Sequence, residues 1–345
     1  MENQLYFLGK GLVSDQLFRS MKIFLTGASG FVGSHLLESL NAAKHEIICH
    51  FRAPHAIYSK PSQNLEIWSG DLNDIQSLTK RLQGFNVLIH CAAEMRLWNS
   101  EQALLETNVL MTKNVLESAK LAGVKQLIYM SDASIAKDPS RQNLNLLESQ
   151  SLPALNDFPY SHSKSQAEQL VLDAGNEEFR TISLRPASIW GKGDLIDQSL
   201  GKAADLNQFG WFDQGGYPFS TCYIQNLCEA VNKALLSEST QESFFISDGQ
   251  AVPFRQWMTK RLKAGHYKVP SLSIPRSLAR PLARFTENGW KYLPLRGEPP
   301  LIREMVHLMA HPFSVSIQKA KDQLAYEPIY SIEDGMLEIE KAVNF

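Results

Sequence analysis

The stretch Thr26-Gly27-Ala28-Ser29-Gly30-Phe31-Val32-Gly33 decides the fold. It follows the apolar run Ile23 to Leu25 and opens a segment in which Phe31, Val32, Leu36, Leu37 and Leu40 recur at helical spacing. A glycine loop between a buried strand and a helix is the setting that cradles a pyrophosphate. Gly27 permits the tight turn, Gly30 lets the backbone approach the phosphates, and Gly33 lets helix and strand pack closely. The phosphates then sit over the helix N-terminus, where free amides and the dipole favour anions. The spacing G-x-x-G-x-x-G is one residue longer than the usual dinucleotide fingerprint, and the alternative is a plain glycine-rich turn.

Outward from this loop, strand-like and helix-like segments alternate from residue 22 to about 190. Lys22 to Thr26, Glu46 to Phe51, Leu65 to Trp68, Val87 to Cys91, Gln126 to Met130 and Thr181 to Leu184 read as strands. A long helical pattern runs from about Ser100 to Leu121 and stops at Gly123, and Tyr160 to Leu172 is helical. Such alternation predicts an α/β fold, a doubly wound parallel sheet of Rossmann type with helices on both faces. After Pro186 the pattern loosens: 191–218 is rich in glycine and aromatics, Ile224 to Leu236 is helical, and Phe244 to Ile246 is a strand. The remainder reads as mostly helical with proline breaks. The expected organisation is an N-terminal extension over 1–20, a dinucleotide-binding domain over 21–190, and a smaller substrate-binding region over 191–345, some of whose segments return to the first domain.

The second informative stretch is Tyr160-Ser161-His162-Ser163-Lys164. On a helix a phenol and an ammonium at i and i+4 share one face, so the lysine can lower the tyrosine's pKa. Hydride transfer to a carbonyl leaves an oxygen that must be protonated as it forms, and an activated tyrosine can do this. The alternative is an ordinary amphipathic helix start. At the end of the second strand, Cys49-His50-Phe51-Arg52 holds no acidic residue to take the adenosine ribose 2′-hydroxyl of NAD. Arg52 can instead pair a 2′-phosphate, which favours NADP(H) over NAD(H); otherwise it is a solvated charge. Asp71, after the third strand, either accepts a hydrogen bond from the adenine amino group or caps the helix that begins near Asp74.

The bulk composition is compatible with this reading. The chain has 345 residues, 44% of them hydrophobic, and a formal net charge of −2. It carries no basic excess that would point to nucleic acid. Cys222 and Cys228 have neither the CxxC spacing nor matching histidines for a zinc site, and Cys49 and Cys91 fall inside expected strands as small buried thiols, so no metal is expected. A reducing, cytoplasmic setting follows. The first 20 residues precede Met21 and carry Leu5-Tyr6-Phe7-Leu8, too short an apolar run for a signal peptide. No run reaches the length of a membrane span.

With these residues in hand, the chain resembles the extended short-chain dehydrogenase/reductase family, from about Met21 to the C-terminus. The resemblance rests on the glycine loop, Gly70-Asp71-Leu72, His90-Cys91-Ala92-Ala93, Asn108, the Tyr160–Lys164 pair and Leu184-Arg185-Pro186. Within the family it looks closest to the 3β-hydroxysteroid dehydrogenase-like branch, beside the NAD(P)-dependent epimerases. Supporting stretches are Arg185 to Gly191, Phe245 to Gly249 and Phe313 to Ser316. The resemblance implies a seven-stranded sheet, Tyr160 as proton donor or acceptor, and Lys164 as the group that lowers its pKa and holds the nicotinamide ribose. It also implies a cofactor lined by Gly27, Ser29, Gly30, Phe31, Val32, Gly33, Asp71, Leu72, Ala92, Ala93, Asn108 and Pro186.

One position departs from the family's pattern. Tyr129-Met130-Ser131-Asp132-Ala133-Ser134 places Asp132 where the family has a Ser or Thr beside the tyrosine. If the backbone stays extended, Asp132 and Ser134 share one side and Ser131 faces away. Either Ser134 or Ser131 then supplies the hydroxyl, or Asp132 acts as a protonated donor, or the enzyme is impaired. Trp190, Phe209, Trp211, Phe212, Tyr217 and Phe219 either line an apolar substrate pocket or pack a core. Ser273 to Tyr292 is basic and amphipathic, interrupted by Pro281, and can cover the substrate mouth or rest on an anionic membrane, the alternative being a solvated helix packed on the domain. The expected function is NAD(P)-dependent hydride transfer to or from a small apolar keto or hydroxy substrate, lipid- or sterol-like. The alternatives are a nucleotide-sugar epimerase or dehydratase of the same family, and a non-catalytic cofactor-binding regulator. Peripheral membrane contact and a homodimer are the further expectations.

Overall fold

The computed structural model describes residues 20–52 and 64–343; the expectations for 1–19 lie outside the described residues. Seven strands form one sheet: β1 (Lys22–Thr26), β2 (Glu46–His50), β3 (Leu65–Trp68), β4 (Val87–His90), β5 (Gln126–Met130), β6 (Arg180–Pro186) and β7 (Glu242–Ile246). All pair in parallel, in the order β7-β6-β5-β4-β1-β2-β3. β4 and β5 are buried along their whole length. That is why they read as unbroken apolar runs rather than alternating ones: helices cover both faces of the sheet. The order reverses between β1 and β4, which opens a crevice beyond their C-terminal ends.

Helix α1 (Phe31–Ala42) buries Gly33, Leu36, Leu37 and Leu40 against the sheet. Helix α2 (Ile75–Leu82) is capped by Asp74, whose carboxylate accepts from the Ser77 amide at 3.0 Å. The long pattern expected from Ser100 to Leu121 is one helical path whose middle turn, Leu105–Leu110, is π-helical before α3 (Met111–Leu121). Helix α4 (Pro159–Ala174) carries the Tyr160–Lys164 pair. Helix α5 (Ile224–Leu235) packs back against α1.

The C-terminal part holds α6 (Phe254–Ala264), α7 (Arg276–Tyr292) and α8 (Arg303–Met309). It also holds a small sheet the sequence did not announce, ordered Val252–Pro253, Pro218–Phe219, Phe313–Val315 and Asn143–Leu146. Strands of two to four residues are too short to show a period of two. Asn143–Leu146 comes from the segment between β5 and α4, so the chain joins the C-terminal strands well before residue 190. A buried ion pair ties this side together: Arg261, fully buried, bonds Asp194 at 2.8 Å and Asp197 at 2.7 Å. α7 runs on through Pro281, burying Ala279 and Ala283 against Val306 and Ala310 of α8 and the loop beyond it. Among the described residues no helix is long and apolar enough to cross a membrane.

Candidate active site

A cavity of about 970 Å³ opens over the ends of the central strands. The glycine loop forms part of its wall. Gly27 adopts φ +71°, and a Cβ there would stand 2.6 Å from the Ala92 amide nitrogen. A Cβ at Gly33 would stand 2.1 Å from the Gly27 carbonyl oxygen, so neither position admits a side chain. The Gly30 amide donates to that carbonyl at 3.0 Å and closes the turn. α1 then begins without a side-chain cap and without an acidic residue in its first turn. Its leading amides are left open to an anion. These features fit the pyrophosphate of a nicotinamide dinucleotide.

Ser29, Phe31 and Val32 from the loop, Arg52 after β2, Asp71 and Leu72 after β3, and Ala92 and Ala93 after β4 all line the same cavity. Asp71 accepts from the Asn73 amide at 2.9 Å, while Asp74 caps α2, so the cap alternative for Asp71 falls. Two expected cofactor residues lie elsewhere. Asn108 is buried in the π-helical turn, donating to the Glu94 carbonyl at 3.2 Å and Ser163 Oγ at 2.9 Å and accepting from the Glu94 amide at 2.7 Å. With its amide satisfied by protein, Asn108 fixes the loop after β4 rather than a ligand. Pro186 is buried in β6, and Ala187 and Ser188 line the cavity in its place. A third residue works behind the wall: buried His90 bridges Thr26 Oγ1 at 2.7 Å and Thr112 Oγ1 at 3.0 Å, and burial brings its pKa down to about 3, so it locks β1 to β4 as a neutral ring.

Tyr160 and Lys164 are each 2% exposed and line the cavity from α4. The Tyr160 hydroxyl donates to Asp132 Oδ2 at 3.1 Å and lies 3.3 Å from Met95 Sδ. Lys164 Nζ donates to the Met130 carbonyl at 2.6 Å and stands 4.4 Å from the centroid of the Tyr129 ring. The expected downward pull on the tyrosine is therefore not what this geometry gives. Burial first, and the Asp132 carboxylate second, push the Tyr160 phenol well above its ordinary range. Burial also brings the Lys164 ammonium down to about 8.

The extended backbone assumed for 131–134 ends at Asp132. That residue is extended (φ −153°, ψ 134°), but its Oδ1 accepts from the Ser134 amide at 2.7 Å and starts a 3₁₀ turn over Ala133–Ala136. Strand alternation no longer applies, and Ser131, Asp132 and Ser134 all line the cavity. Ser134 Oγ lies 3.4 Å from Ser161 Oγ, and Ser131 Oγ is buried without a hydrogen-bond partner among the described residues. The structure puts the Asp132 carboxylate in direct contact with the Tyr160 hydroxyl.

A residue with no sequence signal positions α4. The helix has Phe158 at its N-cap and no local side-chain cap. Glu304 on α8, 3% exposed, supplies one: it accepts from the Tyr160 and Ser161 amides at 3.2 Å each and from Ser161 Oγ at 2.6 Å. Burial raises its carboxyl to about 7. The rest of the cavity wall includes Phe219, Phe254, Trp257, Met258, Leu308, Met309, Phe313 and Lys137. Of the six aromatics expected there, Phe219 alone lines it. Trp190 and Trp211 are fully buried in the core, and Tyr217 stacks on Phe254 with ring centroids 5.5 Å apart. Phe209 packs on Trp211, and Phe212 joins the α7–α8 cluster.

The 3-beta hydroxysteroid dehydrogenase/isomerase family model matches residues 24–276. The chain is 30% identical to a 4-hydroxy-2-methyl-3-oxo-4-farnesyl-3,4-dihydroquinoline-1-oxide ketoreductase of Stigmatella aurantiaca, over 93% of this chain and 96% of that one. It is 29% identical to a 2-alkyl-3-oxoalkanoate reductase of Stenotrophomonas maltophilia (strain K279a), over 92% and 97%. Its fold is similar to that of dTDP-glucose 4,6-dehydratase from Streptomyces venezuelae, solved with NAD, at a TM-score of 0.72 and 19% identity over 93% of this chain and 96% of that one. At that identity the likeness speaks for the fold alone. A family match across most of the chain, joined to relatives of matching length, means that this protein belongs to the 3-beta hydroxysteroid dehydrogenase/isomerase family and is a dehydrogenase/reductase of the NAD(P)-dependent type.

Proposed function

We propose that the protein is an NADP(H)-preferring reductase of an apolar 3-keto compound, running in reverse as a dehydrogenase of the 3-hydroxy product, with Tyr160 as acid and base. The observation that carries this reading is one cavity whose walls hold the glycine cradle, the Tyr160–Lys164 pair and the apolar lining of Phe219, Phe254, Trp257 and Phe313. The names of the two similar relatives, a ketoreductase and a 3-oxoalkanoate reductase, support the same chemistry. Arg52 on the cavity wall, with no acidic residue at the end of β2, supports the 2′-phosphate.

A nicotinamide dinucleotide held here would supply the hydride that reduces the substrate carbon. Tyr160 Oη gives its proton to the substrate oxygen as the new C–H bond forms, and takes one back in the reverse direction. Lys164, held by the Met130 carbonyl, keeps a positive charge beneath this site. Asp132 orients the phenol and keeps it protonated, which favours the reducing direction. An alkoxide is a stronger base than a phenolate, so a raised tyrosine pKa does not prevent donation.

The Asp132 contact also favours the competing reading, a cofactor-binding protein without turnover. NADPH consumption by the purified protein, tested with 3-keto acids, 3-keto esters, steroids and UDP-sugars, separates them. Tyr160→Phe is expected to abolish turnover while leaving NADPH affinity intact. Tight NADPH binding without turnover of any substrate, or equal turnover in both proteins, would overturn the enzymatic reading. The exposed stripe of Leu278, Leu282 and Phe285 on α7, flanked by exposed Arg284 and Lys291, supports peripheral contact with an anionic membrane surface. A homodimer in a cytoplasmic setting completes the proposal.

A further inference from the structure

Lys137 is a charge the mechanism leaves unused. It ends the 3₁₀ turn that Asp132 starts, is 3% exposed, and lines the substrate end of the cavity among Phe219, Phe254, Trp257 and Phe313. Its ammonium stands 4.1 Å from the Phe313 ring centroid and 5.4 Å from that of Phe219. It donates to the backbone carbonyls of Leu308 and His307 at the C-terminal end of α8. Among the described residues no carboxylate pairs with it within ion-pair distance. An ammonium has three donors, and two carbonyls leave one for a ligand.

A cation this buried is costly unless something pairs with it. Ring faces and helix-end carbonyls lower the cost without neutralising the charge. Burial brings the Lys137 pKa down to about 7, while the field of Asp132 works to raise it. Asp132 also touches Tyr160 Oη, so the ammonium and the reacting phenol lie within electrostatic reach of one carboxylate. A helix C-terminus could be capped equally well by a lysine reaching in from solvent. Capping alone does not explain an ammonium set in an apolar cavity wall.

We propose that Lys137 is a specificity-determining residue that binds a carboxylate on the substrate, so that the protein acts on 3-keto and 3-hydroxy acids in preference to their neutral esters. This rests on the reading of the cavity as the substrate site of a reductase. The apolar rings around Lys137 hold the alkyl part of such an acid, and the free N–H meets its carboxylate as the 3-oxygen faces Tyr160.

The test compares a 2-alkyl-3-hydroxy acid with its methyl ester as substrates for oxidation, using the full chain with NADP⁺. Wild type is expected to prefer the acid in kcat/KM. Lys137→Met is expected to cut the acid-over-ester ratio on the order of 10- to 100-fold, mainly through KM, as the loss of one charged hydrogen bond predicts. Lys137→Arg is expected to restore part of it. Equal handling of acid and ester by wild type, or an unchanged ratio in Lys137→Met, would overturn the proposal. Where Lys137→Met does not fold, the wild-type preference decides. Where neither substrate turns over, calorimetric binding of the hydroxy acid to the NADP⁺-loaded protein decides. Binding that the ester does not share supports the carboxylate site even though the reductase reading fails, and equal or absent binding of both overturns it.

Discussion

Asp132→Asn is the substitution that reads the active-site electrostatics most directly. Asn keeps the shape, and its Oδ1 can still accept from the Ser134 amide, so the 3₁₀ turn stays capped. What it removes is the negative charge 3.1 Å from Tyr160 Oη. Between unit charges about 3 Å apart, Coulomb's law gives roughly 1.4 kcal/mol at the dielectric of water and roughly 5.5 kcal/mol at an effective value near 20. At about 1.36 kcal/mol per pH unit, the tyrosine falls by roughly 1 to 4 units. The amide can also donate to the phenolate, which adds to the shift in the same direction. Burial stays, as do the smaller fields of Tyr129 and Glu304, so the variant's phenol remains above the ordinary tyrosine range. The assay is the pH profile of kcat for oxidation of a hydroxy substrate, where Tyr160 must be ionised to take the proton. Its acid limb is expected to move to lower pH by at least about 1 unit. Profiles that superimpose would refute both the contact and the role of Tyr160 as the titrating group.

Arg52→Ala is expected to weaken NADPH binding about 10-fold or more and NADH binding little, measured by fluorescence titration; equal losses would remove the 2′-phosphate role. Glu304→Ala leaves the Tyr160 and Ser161 amides without their acceptor, and is expected to cost roughly 2–3 kcal/mol in chemical denaturation, with Glu304→Gln costing less. The carboxyl of Glu304 sits at about 7 in the fold against an ordinary 4.5, so the folded state binds the extra proton between those values and stability falls as pH rises through that window. Glu304→Gln is expected to flatten this slope, which a melting series from pH 4.5 to 7 would detect. Arg261→Met leaves Asp194 and Asp197 without their partner in a buried site and is expected to lower stability by about 3–5 kcal/mol, read from a urea transition.

The parallel sheet was legible because each of its strands carries its own signal. The β1 run, the glycine loop and the α1 periodicity are contiguous, and buried strands need no partner to be recognised. The cavity wall on this side was legible for the same reason, since Gly27, Arg52, Asp71 and Ala92 each follow a strand end. The sequence misled where a position depends on distant chain. Asn108 looked like a ligand contact, yet its amide is used up by Glu94 and Ser163. The aromatics of 190–219 could not be divided between core and cavity until α6 took its place against them. Ser134 was placed by strand alternation, but a single Asx contact from Asp132 turned the backbone. Glu304 reaches Tyr160 across 144 residues, and no local pattern could have found it.

The same contacts explain how an acid can stand where the resemblance leads one to expect a hydroxyl. Burial lowers the pKa of both Lys137 and Lys164, and in both cases Asp132 is the first group to oppose it. A serine at 132 would remove the one opposing charge that Lys137 has and the largest that Lys164 has, leaving Lys164 only the smaller fields of Cys91 and Glu168, and each ammonium would lose its proton more readily. Asp132 is thus less a damaged hydroxyl than a counter-charge whose field reaches both lysines of the site, and it adds to the burial that raises the pKa of Tyr160. The Asp132→Asn variant tests this as well. Alongside the downward shift of the tyrosine, it should lower the pKa of both lysines, so that substrate binding through Lys137 weakens at a lower pH than in wild type. A KM profile that keeps its wild-type pH dependence would separate Lys137 from Asp132 and undo the pairing.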